Sequence, residues 1–206
     1  MATKLPRADS PVRLKLLVAA KQCVLRDGFA ALSTRAVAEE AETQLSQIHY
    51  HFRSKHGLIL ALLAHQNEAL LARQSHMFGA ETPLSLRWLQ SCDFLEEDLR
   101  SGYVRVLQEI IAGGYSDPGL AAAAREVLKG WFILLKGLAG EIKDLRGDCL
   151  GLPADQLACL IGLAFLGAES MVLIDTDLPV FVSLRSVGAL LASIESSQMD
   201  GPSNAR

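Results

Sequence analysis

Residues Leu32–Leu58 read LSTRAVAEEAETQLSQIHYHFRSKHGL, two short apolar-periodic runs separated by a turn. Ser33, with Thr34 beside it, is an N-cap type whose side-chain oxygen satisfies an orphan N–H of a first helical turn. The run Arg35–Ala41 then carries Val37, Ala38 and Ala41 on one face at helical spacing. Glu42-Thr43-Gln44 breaks that helix. In the second run, Leu45–Phe52, Ile48 and Phe52 stand four apart and point to one core. That leaves Ser46, Gln47, His49 and Tyr50 largely on the outward side. Two short helices, the second with an outward row of hydrogen-bonding side chains, form a helix-turn-helix layout, whose second helix fits the major groove.

Working outward, the flanks supply the rest of a small helical head. Pro11 opens a first helix with Leu14, Leu17, Val18, Lys21 and Leu25 at three- and four-residue spacing, stopping at Asp27-Gly28. Phe29 and Leu32 then plug the three-helix core. Ser54 caps a fourth helix from Lys55 to about Phe78, with an inward stripe of Ile59, Leu62, Leu63, Gln66 and Leu70. A break at Gly79–Pro83 precedes two helices that run through Trp88, Phe94, Tyr103 and Leu107 to Gly113-Gly114. Asp117-Pro118 starts a long helix to about Leu145, and Gly147–Pro153 is a loop. Two C-terminal helices follow, about Ala154–Ile174 and Val180–Ser196. No window alternates with period two, so the chain reads as all-α with about nine helices.

The stretch Ala41–Leu58 resembles the DNA-binding domain of the TetR family of transcriptional repressors. The family pattern A-G-V-S-x-G-x-L-Y-x-H-F-x-S-K-x-x-L aligns with AETQLSQIHYHFRSKHGL without a gap. Glu42 stands where the family usually has glycine, a place that suits a left-handed backbone. His49 replaces the usual tyrosine. The resemblance implies a helix-turn-helix domain over 1–53 (1–10 a flexible arm), a helical ligand-binding and dimerisation domain over 54–198, and a tail at 199–206 that reads as disordered. It also implies a function: a repressor that leaves its operator when a small apolar ligand binds. By resemblance, Thr34, Tyr50, His51 and Lys55 match positions that hold phosphates. Arg35, Leu45, Ser46 and His49 match those nearest the bases, and Gln44 and Gln47 fit either role. Lys55 at a helix N-terminus adds its charge to the backbone N–H groups there.

Charge divides along the chain. Residues 1–56 hold nine Lys/Arg against five Asp/Glu, and the remainder eleven against eighteen. A basic head on an acidic body fits a head that meets phosphate. Hydrophobic residues make up 50% of the chain, with a mean hydropathy of +0.24. That much apolar surface must enter a core, a cavity or a subunit interface. No run of about 18 apolar residues is free of charge, so no membrane span is expected. MATKLPRADS lacks the apolar region of a secretory signal, so the chain reads as cytoplasmic.

Trp88, Phe94, Tyr103, Leu107, Trp131 and Phe132 lie where a ligand cavity is expected, with His65, Gln66 and Glu109 as polar handles; for each aromatic, ordinary core is the competing reading. The last two helices are apolar nearly all round, as in a helix buried on more than one side. In the resembling family they pair with their copies across a two-fold axis. This gives Gly162, Phe165, Leu166, Gly167, Glu169, Ser170, Leu184, Val187 and Leu191 as the dimer set. Glu169, the one charge between Asp155 and Asp175, is either an interface residue or a pocket group. His49, His51 and His56 do not converge as metal ligands. Cys23, Cys92, Cys149 and Cys159 show no ligand spacing and read as reduced, mostly buried thiols. Neither cofactor nor catalytic constellation is expected. The partners implied are a palindromic operator in double-stranded DNA, a small-molecule effector and a second copy of the chain.

Overall fold

The computed structural model describes residues 10–78, 81–146 and 152–199. Most of the expected arm, the expected tail beyond Met199 and Cys149 lie outside them. Among the described residues are nine helices and no strand: α1 (Pro11–Ala31), α2 (Thr34–Glu40), α3 (Leu45–Phe52), α4 (Lys55–Phe78), α5 (Leu84–Ser101), α6 (Tyr103–Gly113), α7 (Pro118–Arg146), α8 (Ala154–Leu173) and α9 (Val180–Met199). The all-α reading holds. The chain forms two compact units, Met1–Ala69 with Gly102–Val127, and Leu70–Ser101 with Leu128–Arg206. Helices α4 and α7 each contribute to both.

In the first unit α1 packs against α2, α3 and α6. The buried side chains of this unit include Leu16, Leu17 and Val24 of α1, Val37 of α2, Ile48 of α3, Leu58, Ile59, Leu62 and Leu63 of α4, and Val104, Val106 and Ile110 of α6. Gly28 interrupts α1 (φ 78°, ψ 167°), and helical backbone resumes for one more turn instead of stopping there. Its neighbour Phe29 donates its backbone N–H to Glu109 Oε2 at 3.2 Å, which satisfies a group the interruption frees.

The second unit is organised by the α5–α9 pair. Trp88 donates Nε1–H to the Leu184 carbonyl at 2.6 Å. Glu195 of α9 accepts from the Leu84 N–H and the Ser85 hydroxyl, covering orphan donors at the start of α5. Arg185 reaches both Asp93 and Glu96. Among the described residues α8 is the one helix long and apolar enough to cross a bilayer by length and hydropathy, Glu169 notwithstanding.

Candidate nucleic-acid interface

The Ser33 hydroxyl accepts the Ala36 N–H at 3.1 Å and so caps α2, as its residue type dictates. The turn after α2 is held by Thr43 N–H to the Ala38 carbonyl (2.9 Å), and Glu42 takes the left-handed conformation there, φ 46°. Its carboxylate meets Lys15 Nζ at 3.3 Å across the surface. Helix α3 is seated by Ile48 and Phe52, both buried, with the Arg13 guanidinium 5.6 Å from the Phe52 ring centre. With those two inward, Gln44, Ser46, His49 and Tyr50 are exposed, while Leu45, Gln47 and His51 are half-buried. Arg35 is exposed and Thr34 half-buried on α2.

The corner between α3 and α4 contains two residues that the pattern reading passed over. Arg53 ends α3 in a left-handed conformation (φ 67°) and is exposed beside His49. Its N–H bonds the His49 carbonyl at 3.1 Å, while His49 Nδ1 lies 3.3 Å from the Arg53 carbonyl. Gly57 is the second. A Cβ there would stand 2.1 Å from the Phe52 carbonyl oxygen, so only glycine lets α4 start this close to the end of α3. Both fall on positions that the family pattern leaves open, which is why the motif did not signal them. Ser54 Oγ accepts the Gly57 N–H at 3.0 Å, the expected cap. Lys55 Nζ lies 5.2 Å from the Phe29 ring centre, at the first residue of α4.

Charges around this face are largely set by pairing and burial. Arg26 bridges Glu40 at 2.8 Å and Asp27 at 3.1 Å, and both partners hold its proton more tightly than usual. Burial, and then the Arg13 charge, push the His51 imidazole below its ordinary range. His51 Nδ1 is buried without a hydrogen-bond partner.

The residues expected to line a ligand cavity are divided between the two units. In the first, His65 is exposed, Gln66 is half-buried with an unpartnered buried Oε1, and Tyr103 and Leu107 are core. The Tyr103 hydroxyl donates to Asn67 Oδ1 at 3.3 Å, and Glu109 is committed to the Phe29 N–H. In the second, Trp88 and Trp131 flank Phe165 at 5.4 and 6.1 Å between ring centres, and Phe132 lies 5.7 Å from Trp131. Phe94 lies under the Arg73 guanidinium, 4.2 Å away. A surface groove of about 740 Å³ in the second unit is lined by Glu81, Arg87, Glu141, Asp144, Glu195 and their neighbours, none of them an expected pocket residue.

The expected dimer set is also divided. Phe165 belongs to the aromatic cluster just described, and Gly162 is small because a Cβ there would press on the Phe132 ring at 2.6 Å. Glu169, Leu184 and Leu191 are buried by their own chain, so with Phe165 and Gly162 they are interior, not outward. Leu166, Ser170 and Val187 are half-buried, and Gly167 alone of the set is exposed. The outward face of α8 and α9 is instead Leu160, Leu163, Ala164, Gly167, Val182, Ala189 and Leu190. Sequence periodicity could not choose, because both sides of α8 are apolar. Cys159 is likewise exposed, against expectation, whereas Cys23 and Cys92 are buried and burial pushes the Cys92 thiol up to about 11. Among the described residues no three His, Cys, Asp or Glu side chains are grouped to hold a metal ion.

Residues 16–62 match the family model described as bacterial regulatory proteins, tetR family. The HTH-type transcriptional regulator UidR of Escherichia coli K12 is 26% identical over 118 residues, 54% of this chain. That alignment spans 56% of UidR, about half the length of the curated relative. The fatty acid degradation regulator FadR of Bacillus halodurans superposes with a TM-score of 0.75 at 17% identity, covering 89% of this chain and 95% of FadR. FadR of Bacillus subtilis, solved with stearoyl-CoA, gives 0.70 at 16% identity, covering 87% and 97%. At these identities the two structures speak for the fold.

Proposed function

We propose that the chain, whose residues 16–62 match the TetR family model, is a TetR-type regulator of transcription that binds specific DNA sequences, a repressor released from its operator by a small apolar molecule. The observation that carries this reading is the exposed row Gln44, Ser46, His49, Tyr50 and Arg53 on and beside α3, a helix whose other side is locked by Ile48 and Phe52. Within that row Ser46 and His49 reach base edges in the major groove, while Tyr50, with Thr34, His51 and Lys55 around it, meets phosphates. Arg35, Leu45 and Gln47 complete the contact set. The DNA-contacting domain is 1–53 and the effector and dimerisation domain 54–198. Packing does not bear on that functional boundary.

The effector half of the proposal rests on the stearoyl-CoA bound by the Bacillus subtilis regulator of the same fold and on the aromatic residues of the second unit. An effector acts only through its different affinity for the DNA-binding and released states. The dimer half rests on the exposed apolar face of α8 and α9, which a second copy would cover. Such a regulator works beside the chromosome in the cytoplasm, and no catalytic role is assigned. The experiment is a mobility-shift and nuclease-protection assay on the DNA flanking the protein's own gene. Protection of a near-palindrome is the expected result; absence of any protected sequence overturns the reading. Within that assay Lys55→Ala should weaken binding to all sequences alike and make the salt dependence shallower by about one unit. An unchanged slope removes Lys55 from the phosphate contacts.

A further inference from the structure

His49 is exposed at the centre of the outward row of α3, one helical turn from Ser46 and from Arg53. Its Nδ1 lies 3.3 Å from the Arg53 carbonyl oxygen. A carbonyl only accepts, so this bond exists only when Nδ1 carries the proton. The carbonyl is available because Arg53 ends the helix with φ 67°, turning its peptide back towards the last turn of α3. The reciprocal bond, Arg53 N–H to the His49 carbonyl at 3.1 Å, closes the same two residues from the other side. In the neutral ring the remaining nitrogen, Nε2, is then a bare acceptor.

We infer that His49 is a specificity-determining residue that presents Nε2 as an acceptor in the major groove, and so selects a base carrying an exocyclic amino group, adenine N6 or cytosine N4. The inference rests on the DNA-binding reading above and deepens it. In the major groove adenine and cytosine offer a donor to such an acceptor, while guanine and thymine turn acceptor atoms towards it. The last turn of α3 thus fixes the tautomer, and the tautomer fixes which half of the base alphabet is accepted.

Two measurements test it, both at pH 8. Nitrogen-15 NMR of the free protein should find His49 protonated at Nδ1; protonation at Nε2 overturns the inference and leaves DNA binding untouched. Next, the protected operator is rebuilt with single amino groups deleted, purine for adenine or 2-pyrimidinone for cytosine. One such deletion should weaken the wild-type protein about tenfold, the scale of one lost hydrogen bond with its partner left unpaired. The same deletion should cost His49→Phe, which keeps a ring but has no acceptor, less than twofold. Equal losses in both proteins overturn the inference, as does a His49-dependent loss on replacing guanine by 7-deazaguanine. If the wild-type chain protects no DNA, the regulator reading itself falls, and this inference with it.

Discussion

Gly57 stands at the corner where α3 hands over to α4, and a Cβ there would meet the Phe52 carbonyl oxygen at 2.1 Å. Backbone cannot move aside as a flexible side chain can, so Gly57→Ala must displace the end of α3 or the start of α4. It should cost about 2–3 kcal/mol in denaturant unfolding and weaken DNA binding by re-aiming His49 and Arg53. A wild-type unfolding midpoint in Gly57→Ala would show that the corner is looser than described. His51 supplies a pH signature at the same scale. Burial and Arg13 hold its imidazole below the ordinary range in the folded head. Between the folded value and the unfolded one of about 6.5, the unfolded chain binds more protons. Stability therefore rises with pH through that window and is lost as the pH falls below about 6.5. Thermal melts from pH 8 to 5 should show the loss, and His51→Gln should flatten it; an identical profile in the variant would place the pH dependence elsewhere.

Among elements, the helix-turn-helix was legible because its information is local. Ser33, Ile48, Phe52 and Ser54 act within one or two turns, and the structure returns each in its expected role. Even the glycine missing at Glu42 announced the left-handed turn that is found at φ 46°. Arg53 and Gly57 were missed because their roles come from how two helices meet. The last two helices were harder still: α8 is apolar on every side, so its sequence fixes burial without fixing direction. Only packing on Trp131 and Phe132 turns Phe165 and Gly162 inward and Leu163 and Gly167 outward. Nothing local in the sequence foretold that Glu195 would serve a helix 110 residues earlier in the chain. That contact is testable. Glu195→Ala leaves the Leu84 N–H and the Ser85 hydroxyl without their acceptor, a loss like that of a helix cap, about 1–2 kcal/mol. Ser85→Ala in the Glu195→Ala background should then add almost nothing, because the two share one interaction. Additive losses would mean that Ser85 is stabilised by other groups.

For the proposed regulator, the decisive surface is the outward face of α8 and α9, where Leu163 is 57%, Val182 69% and Leu190 65% exposed. Apolar surface on this scale marks an interaction site, and a second copy packed on the same residues satisfies the two-fold symmetry that a palindromic operator needs. Gly167 separates folding from assembly. It is exposed, and a Cβ built on it meets nothing within 4 Å in its own chain. Gly167→Leu should therefore leave the single chain folded, even stabilised by up to about 1 kcal/mol from the better helix former. The same side chain would hold a second α8 away if small residues let the two helices approach closely. In sedimentation at micromolar concentration the wild type should be a dimer and Gly167→Leu largely monomer, with helical content unchanged. Its protection of DNA should shrink to a weakly held half-site, where the wild type covers two centres at least about 34 Å apart. A variant that remains a dimer with an unaltered footprint would show that the copies meet elsewhere, and α8 and α9 would then need another partner for their apolar face.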